Sequence, residues 1–208
     1  MRRKEIKPNS ILEAAIRYVG EHGLERVSTA KIATELGISE GSIFNNFATK
    51  SELLLQCLYY IDRRVDAALH EVPFQGLNFE KNANALWEAY LNYWLENGFH
   101  AKFYVQFRHS SYYTEEVIEG QNESFPFFIK LIQKNQSVLN VNSDILWTYI
   151  IETTLNFAVR IIDERLPSGS KERSTMYNLL FHGIAGAFHK DSTIKWPAVQ
   201  AVPEEKHP

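Results

Sequence analysis

Cysteine is nearly absent from this sequence of 208 residues, since Cys57 is the only one, and a disulfide within the chain is therefore excluded. Long apolar runs are missing as well. None reaches about 18 residues without a polar interruption, so no transmembrane helix is expected. The charged N-terminus is not followed by the apolar segment of a signal peptide. We therefore expect a soluble, cytoplasmic protein with no membrane partner.

Motifs of catalysis and metal binding are also lacking. The sequence has no His-x-x-x-His pair, no cysteine cluster, no nucleophile elbow and no phosphate-binding glycine loop. Seven histidines are scattered along the chain, at positions 22, 70, 100, 109, 182, 189 and 207. The sequence therefore predicts no enzyme, no metal site and no cofactor.

Helical periodicity dominates, and no strand pattern or repeat competes with it. A first helix is predicted over residues 10–22, opened by a capping box of Ser10 and Glu13 and ended by Gly23. A second is predicted over residues 29–36, capped by Ser28 or Thr29. The fold class expected is all-α.

A short polar segment, "ISEGSIFNNF" at residues 38–47, follows the second helix across a turn at Gly37. We predict a third helix here, capped by Ser39 and containing Ile43, Phe44 and Phe47. Thr49 and Glu52 form another capping box, which opens a long fourth helix that runs to about residue 69. Two helices joined by a glycine-containing turn are the helix-turn-helix arrangement, in which the second helix enters the DNA major groove.

The unusual composition of this segment suits that role. Ile43 and Phe47 can anchor the helix, Gly41 and Ser42 allow a close backbone approach, and asparagine can pair with adenine. Charge is unevenly distributed, since residues 1–50 carry eight Lys/Arg against six Asp/Glu and the remainder carries 14 against 19. This asymmetry fits a DNA-binding domain on an acidic body and ordinary surface charge equally well. The alternative for each Ser or Asn is a solvated surface residue.

The sequence "SILEAAIRYVGEHGLERVSTAKIATELGISEGSIFNNFATKSELL", within residues 10–55, resembles the DNA-binding head of the tetracycline-repressor (TetR) family. The likeness covers the three-helix head and the start of the fourth helix. Two positions depart from the family pattern. Phe44 stands where family members often carry Tyr, and Asn46 stands where an aromatic residue or His is common. Phe44 therefore lacks the hydroxyl of a family-typical phosphate contact.

The resemblance and the chemistry together name candidate DNA-binding residues. Thr29, at a helix N-terminus, and the cations Lys31 and Lys50 suit phosphates. A basic arm from Arg2 to Lys7 is a further candidate, with a disordered tail as its alternative. The full set predicted to contact DNA is Thr29, Lys31, Ser39, Gly41, Ser42, Phe44, Asn45, Asn46 and Lys50.

The rest of the chain is read as a helical ligand-binding and dimerisation domain over residues 51–190, after a DNA-binding domain over 1–50 and before a tail at 191–208. Twenty-four of the 27 aromatic residues follow residue 50. The resemblance implies a small-molecule pocket in this body, with ordinary core packing as the alternative for each residue. The candidate lining residues are Cys57, Ile61, Trp87, Tyr90, Trp94, Phe103, Phe107, Phe128 and Asn156.

The last predicted helix, at 172–189, carries the small residues of "GIAGAF". The resemblance implies that this helix and the preceding one pair with their copies in a second subunit. Tight packing within one subunit is the alternative.

We expect a homodimeric transcriptional repressor that a small molecule releases from its DNA operator. Three alternatives remain open: a switch through Cys57 oxidation, a switch through a protein partner, and a body that only dimerises. The sequence does not distinguish a repressor from an activator.

Overall fold

The computed structural model describes residues 6–73, 79–124, 145 and 147–188, and every element in this part of the chain is helical. This confirms the predicted all-α fold. A 3₁₀ turn at Leu24–Arg26 and a π-helical segment at Trp147–Glu152 accompany nine α-helices in the described ranges. The helices are α1 Pro8–His22, α2 Thr29–Leu36, α3 Glu40–Phe44, α4 Lys50–His70, α5 Phe79–Glu96, α6 Gly98–Arg108, α7 Glu115–Ser124, α8 Thr153–Ile162 and α9 Ser170–Phe188.

Helix α1 begins two residues earlier than expected, and the predicted capping box at its start is wrong. Pro8 occupies the first turn, where its fixed φ and missing N–H are tolerated. Lys7 is the N-cap and its side chain makes no capping hydrogen bond. Ser10 therefore lies inside the helix, and Glu13 is directed to α4 and α6 instead.

The turn between α2 and α3 forms as predicted. The Ser28 side chain accepts a hydrogen bond from the Lys31 backbone N–H (3.3 Å), so Ser28 is the N-cap of α2. Gly37 ends the helix with φ 65° and ψ 35°, a left-handed conformation that glycine adopts without strain. The Ile38 N–H donates to the Ala33 carbonyl (3.0 Å), which completes the C-terminal cap.

Helix α3 is shorter than expected. It spans Glu40–Phe44, so Phe47 lies beyond it and not within it. Ser39 precedes the helix, but its side chain does not cap it; the two hydroxyl oxygens of Ser39 and Ser42 are hydrogen-bonded instead (2.9 Å).

The capping box of α4 is confirmed. The Glu52 N–H donates to the Thr49 hydroxyl (3.0 Å), and the Glu52 carboxylate accepts from the Ala48 N–H (2.7 Å). Helix α4 ends at His70, close to its predicted end at about residue 69, and α5 begins at Phe79.

The described residues divide into two compact units, one within residues 6–167 and one over residues 168–188. In the first unit, α1 packs against α2, α4 and α6, and α5 packs against α4, α6 and α8. The three N-terminal helices therefore share one compact unit with α4–α8, and a functional boundary near residue 50 stays a prediction.

Helix α9 belongs to the second unit. A continuous helix was expected here, but the helix is interrupted. Gly183 has φ 68° and ψ −173°, which interrupts the helical geometry ahead of the last small residues. The predicted tail at 191–208 lies outside the described residues.

Candidate nucleic-acid interface

The face of α3 is set by two apolar anchors. Ile43 is fully buried and Phe47 nearly so, and both lie among the buried residues of the three N-terminal helices, such as Ile32 and Ala33 of α2. With these side chains inside, Ser42 is half-buried, and the exposed residues of the segment are Ser39, Glu40, Gly41, Phe44, Asn45 and Asn46. Residues 39–46, which we call the reading segment, thus bring together six of the residues predicted to contact DNA: Ser39, Gly41, Ser42, Phe44, Asn45 and Asn46.

Several polar groups on this segment bond to one another. The Asn46 side-chain amide donates to the Ser42 carbonyl (2.9 Å), and the Ser39 and Ser42 hydroxyls pair. In the part of the chain that the structure describes, the Asn45 side chain has no hydrogen-bond partner. Asn45 is therefore the asparagine whose amide is available to a base edge without first breaking an internal bond.

The predicted phosphate-contact residues have partners within the protein. Thr29 is only 8% exposed, and its hydroxyl donates to the Glu40 carboxylate. The Lys31 ammonium donates to the Arg26 carbonyl (2.9 Å) and lies 5.7 Å from the ring centre of Tyr18. A phosphate contact by Thr29 or Lys31 must replace these bonds, so their assignment stays a prediction.

Lys50 and the basic N-terminal arm are the remaining basic candidates for DNA contact. Lys50 is the first residue of α4, and its ammonium lies 5.9 Å from the ring centre of Tyr112. Of the basic arm, Lys7 is exposed at the start of α1, whereas residues 1–5 lie outside the described residues.

The candidate pocket residues are mostly in the core of α4, α5 and α6. Those on the three helices are buried: Cys57, Ile61, Trp87, Tyr90, Trp94, Phe103 and Phe107. Asn156 is not brought together with them, because it is exposed and its amide donates to the Glu152 carbonyl of its own helix (2.9 Å). Phe128 lies outside the described residues.

The core also contains a buried polar network that the sequence analysis did not predict. Asp62 of α4 is fully buried, and its carboxylate accepts hydrogen bonds from the Tyr104 hydroxyl (2.7 Å) and the Gln121 amide (2.9 Å). Burial, reinforced by the Asp62 charge, raises the pKa of Tyr104 well above its ordinary value. The spacing of α4 does indicate that Asp62 is buried, because Asp62 falls on the apolar stripe of the helix, four residues after Leu58 and three before Val65.

A second polar cluster joins α1 to α4, α5 and α6. The Glu13 carboxylate accepts from the Tyr60 hydroxyl (2.6 Å) and from His100 Nε2 (3.1 Å). A carboxylate only accepts, so Nε2 carries the proton, and Nδ1 of neutral His100 accepts from the Tyr93 hydroxyl (2.8 Å). The N-terminal helices are thus hydrogen-bonded to the body at a buried imidazole.

The pKa values in this cluster follow from burial and pairing. Burial lowers the pKa of His100, and the nearby Glu13 carboxylate only partly opposes this. Partial burial of Glu13 acts to raise its pKa, but hydrogen bonds from Tyr60 and His100 prevail and lower it. Both shifts favour a neutral imidazole beside an ionised carboxylate.

Gln106 of α6 makes a further link to the N-terminal helices. Its side-chain oxygen accepts from the Leu24 N–H (2.9 Å), and its amide donates to the Val19 carbonyl at the end of α1 (3.3 Å). Backbone groups at this corner therefore depend on a body side chain for their hydrogen bonds.

Cys57 is fully buried, and its thiol lies 3.7 Å from the Leu12 carbonyl oxygen, to which it donates. Burial raises the pKa of this thiol well above its ordinary value, and the Glu13 charge adds to the effect. A neutral, buried thiol is a poor nucleophile, which weighs against the oxidation alternative.

The described residues contain neither a metal site nor a membrane-spanning helix. No group of His, Cys, Asp and Glu among them is placed to hold a metal ion. Within the same ranges, no helix has the length and apolarity to cross a membrane.

The geometry from Thr29 to Phe44 defines a helix-turn-helix protein: two helices, a left-handed glycine turn and an exposed second helix. Residues 11–57 match the family model described as "Bacterial regulatory proteins, tetR family". An HTH-type transcriptional regulator of Staphylococcus aureus (strain USA300) is 41% identical over 66 residues, which are 31% of this chain and 34% of that protein. The chain therefore aligns with about a third of the length of this relative.

Solved structures extend the likeness in fold. A TetR family transcription regulator from Marinobacter aquaeolei VT8 has a TM-score of 0.74 at 20% identity, over 85% of this chain and 94% of that one. A tetR family regulator from Shewanella sp. PV-4 has a TM-score of 0.70 at 22% identity, over 85% and 97%. Residues 11–57 thus resemble the TetR family in sequence, and the fold of the chain resembles these TetR-family structures. The relatives reported are named as regulators of transcription, not as enzymes.

Proposed function

We propose that this protein is a cytoplasmic transcriptional regulator that binds double-stranded DNA through α3. The observation that carries the proposal is the exposed face of α3, with Gly41, Phe44 and Asn45 outside and Ile43 fully buried beneath. Such a helix after a helix-turn-helix turn suits the major groove, where side chains reach base edges.

We further propose that the DNA-binding form is a homodimer that reads a two-fold symmetric operator. Five helical residues in α3 give one head few base contacts. Two heads about 34 Å apart would contact successive major grooves and double the phosphate contacts. The resemblance in fold to TetR-family regulators supports this arrangement.

The regulation proposed is release of a repressor from its operator by a small molecule bound in the body. Helix α4 offers a route, because it runs from Lys50, beside the reading segment, to the buried Ile61 and Asp62. The hydrogen bonds of His100 and Gln106 offer a second. A ligand acts only through its difference in affinity between two states, and about 1.4 kcal/mol of coupling suffices for a tenfold loss of DNA affinity.

Selection from a random DNA library, followed by titration of the selected duplex, tests the proposal. We expect a two-fold symmetric site and affinity that falls with salt as phosphate contacts are lost. Asn45→Ala is expected to weaken binding by about 5- to 150-fold, the range for losing a base contact of 1–3 kcal/mol. Asn156→Ala is the matched control, because Asn156 is exposed on α8 and bonds only within its helix. No sequence-selective binding, or equal weakening by the two variants, would contradict the proposal.

A further inference from the structure

Phe44 is an exposed aromatic residue in the middle of the reading segment. Its side chain is 47% exposed, whereas Phe47, three residues later, is 6% exposed, and Phe103 and Phe107 are fully buried. Leaving a phenyl ring in water forgoes the stabilisation that burial would provide. Ile43 and Phe47 already occupy the inner face, so the ring of Phe44 points away from the core.

The side chains around Phe44 are largely engaged in hydrogen bonds within the segment. The Ser39 and Ser42 hydroxyls pair with each other, and the Asn46 amide donates to the Ser42 carbonyl. Gly41, three residues before Phe44, adds no side chain: a Cβ there would have only the Ser39 hydroxyl oxygen near it, at 3.9 Å. A surface that approaches this segment therefore meets the phenyl ring beside the exposed Asn45 side chain.

The chemistry of the major groove restricts what that ring can contact favourably. Base edges there present hydrogen-bond donors, hydrogen-bond acceptors and one apolar group, the 5-methyl group of thymine. A phenyl ring neither donates nor accepts, and covering a donor or acceptor with it would desolvate that group without compensation. Phe44 also has no hydroxyl with which to bind a phosphate.

We propose that Phe44 is a specificity-determining residue that selects a thymine in each half-site by apolar contact with its 5-methyl group. The inference rests on the proposed function, since it requires α3 to lie in the major groove. It extends the proposed function by naming the base that Phe44 contacts, a thymine, and the group on that base, its 5-methyl group.

Removal of single methyl groups tests this directly. In the duplex selected by the wild-type protein, each thymine is replaced in turn by deoxyuridine, which lacks only that methyl group. We expect one position per half-site at which the wild type loses about fourfold in affinity, the equivalent of about 0.8 kcal/mol for one buried carbon group. At that position Phe44→Ala is expected to bind the two duplexes equally, whereas Asn45→Ala retains the fourfold difference.

The possible results separate the two proposals. If the wild type binds its selected site but tolerates every single methyl removal, Phe44 does not read thymine. The same holds if Phe44→Ala keeps the fourfold difference. If the wild type selects no DNA sequence, the proposed function fails and this inference fails with it. Because Phe44 is exposed, the variant is expected to fold, which its circular dichroism spectrum would establish.

Discussion

His100→Phe tests how firmly the N-terminal helices are held on the body. The substitution keeps a ring in the buried site but removes both imidazole hydrogen bonds, one to the Glu13 carboxylate and one to the Tyr93 hydroxyl. Tyr93 is itself buried, so water cannot readily replace its lost partner. The Glu13 side chain is 41% exposed and keeps the Tyr60 hydroxyl as a donor. We expect His100→Phe to lower the free energy of unfolding by about 2 kcal/mol at pH 8, because two hydrogen bonds worth about 1 kcal/mol each are removed.

The pH dependence of this loss has a definite sign. Burial lowers the pKa of His100 from 6.5, so below that pH the unfolded chain binds a proton more readily than the native protein. Stability then decreases as the pH falls, because the unfolded state binds more protons. The variant lacks this group. The stability difference between wild type and His100→Phe is therefore expected to be largest above pH 6.5 and to shrink as the pH is lowered.

Urea unfolding at fixed protein concentration, followed by circular dichroism from pH 8 to pH 5.5, measures the difference. His109→Phe is the matched control, because His109 lies at the exposed end of α6 and bonds within that helix. The control is expected to change stability by less than about 0.5 kcal/mol. A difference for His100→Phe that stays constant or grows toward pH 5.5 would refute the reasoning. A constant difference would mean that Glu13 raises the pKa of His100 as much as burial lowers it, and a growing difference would mean that Glu13 raises it more.

Three further predictions concern the helix ends and the thiol. Thr49→Ala removes the N-cap of α4 and should lower the free energy of unfolding by about 1 kcal/mol in urea titrations, and an unchanged midpoint would contradict the cap assignment. Gly37→Ala places a Cβ at φ 65° and should cost about 1–2 kcal/mol in the same assay, and a stabilised variant would show that the turn is not left-handed. The Cys57 thiol should be unreactive toward a thiol reagent at pH 8 and reactive in urea, because it is fully buried with a raised pKa. Rapid modification of the native protein would revive the oxidation alternative.

Local signals in the sequence predicted those parts of the fold that a few neighbouring residues determine. Gly37 at a helix end and the Thr49–Glu52 pair act through adjacent backbone groups, and both are found as expected. The Ser10–Glu13 pair has the same spacing but fails. Pro8 starts the helix earlier, and Glu13 has partners on α4 and α6 that no local pattern reveals.

The candidate site divides in the same way. The reading segment of α3 was predictable, because Ile43 and Phe47 are spaced to bury one face and leave Gly41, Phe44 and Asn45 outside. Its internal hydrogen bonds were not predictable. Whether an asparagine amide points to solvent or back to a carbonyl, as for Asn45 and Asn46, depends on side-chain rotamers within the folded segment.

By itself, the sequence determined an all-helical chain with a helix-turn-helix near its start, because helix periodicity, caps and glycine turns act over a few residues. Only the tertiary structure decided which polar side chains are buried together. Asp62 meets Gln121 across 59 positions and Glu13 meets His100 across 87. Such pairs form because helices remote in sequence pack together, and a buried polar group must then find its partner among whatever side chains the packing brings within reach.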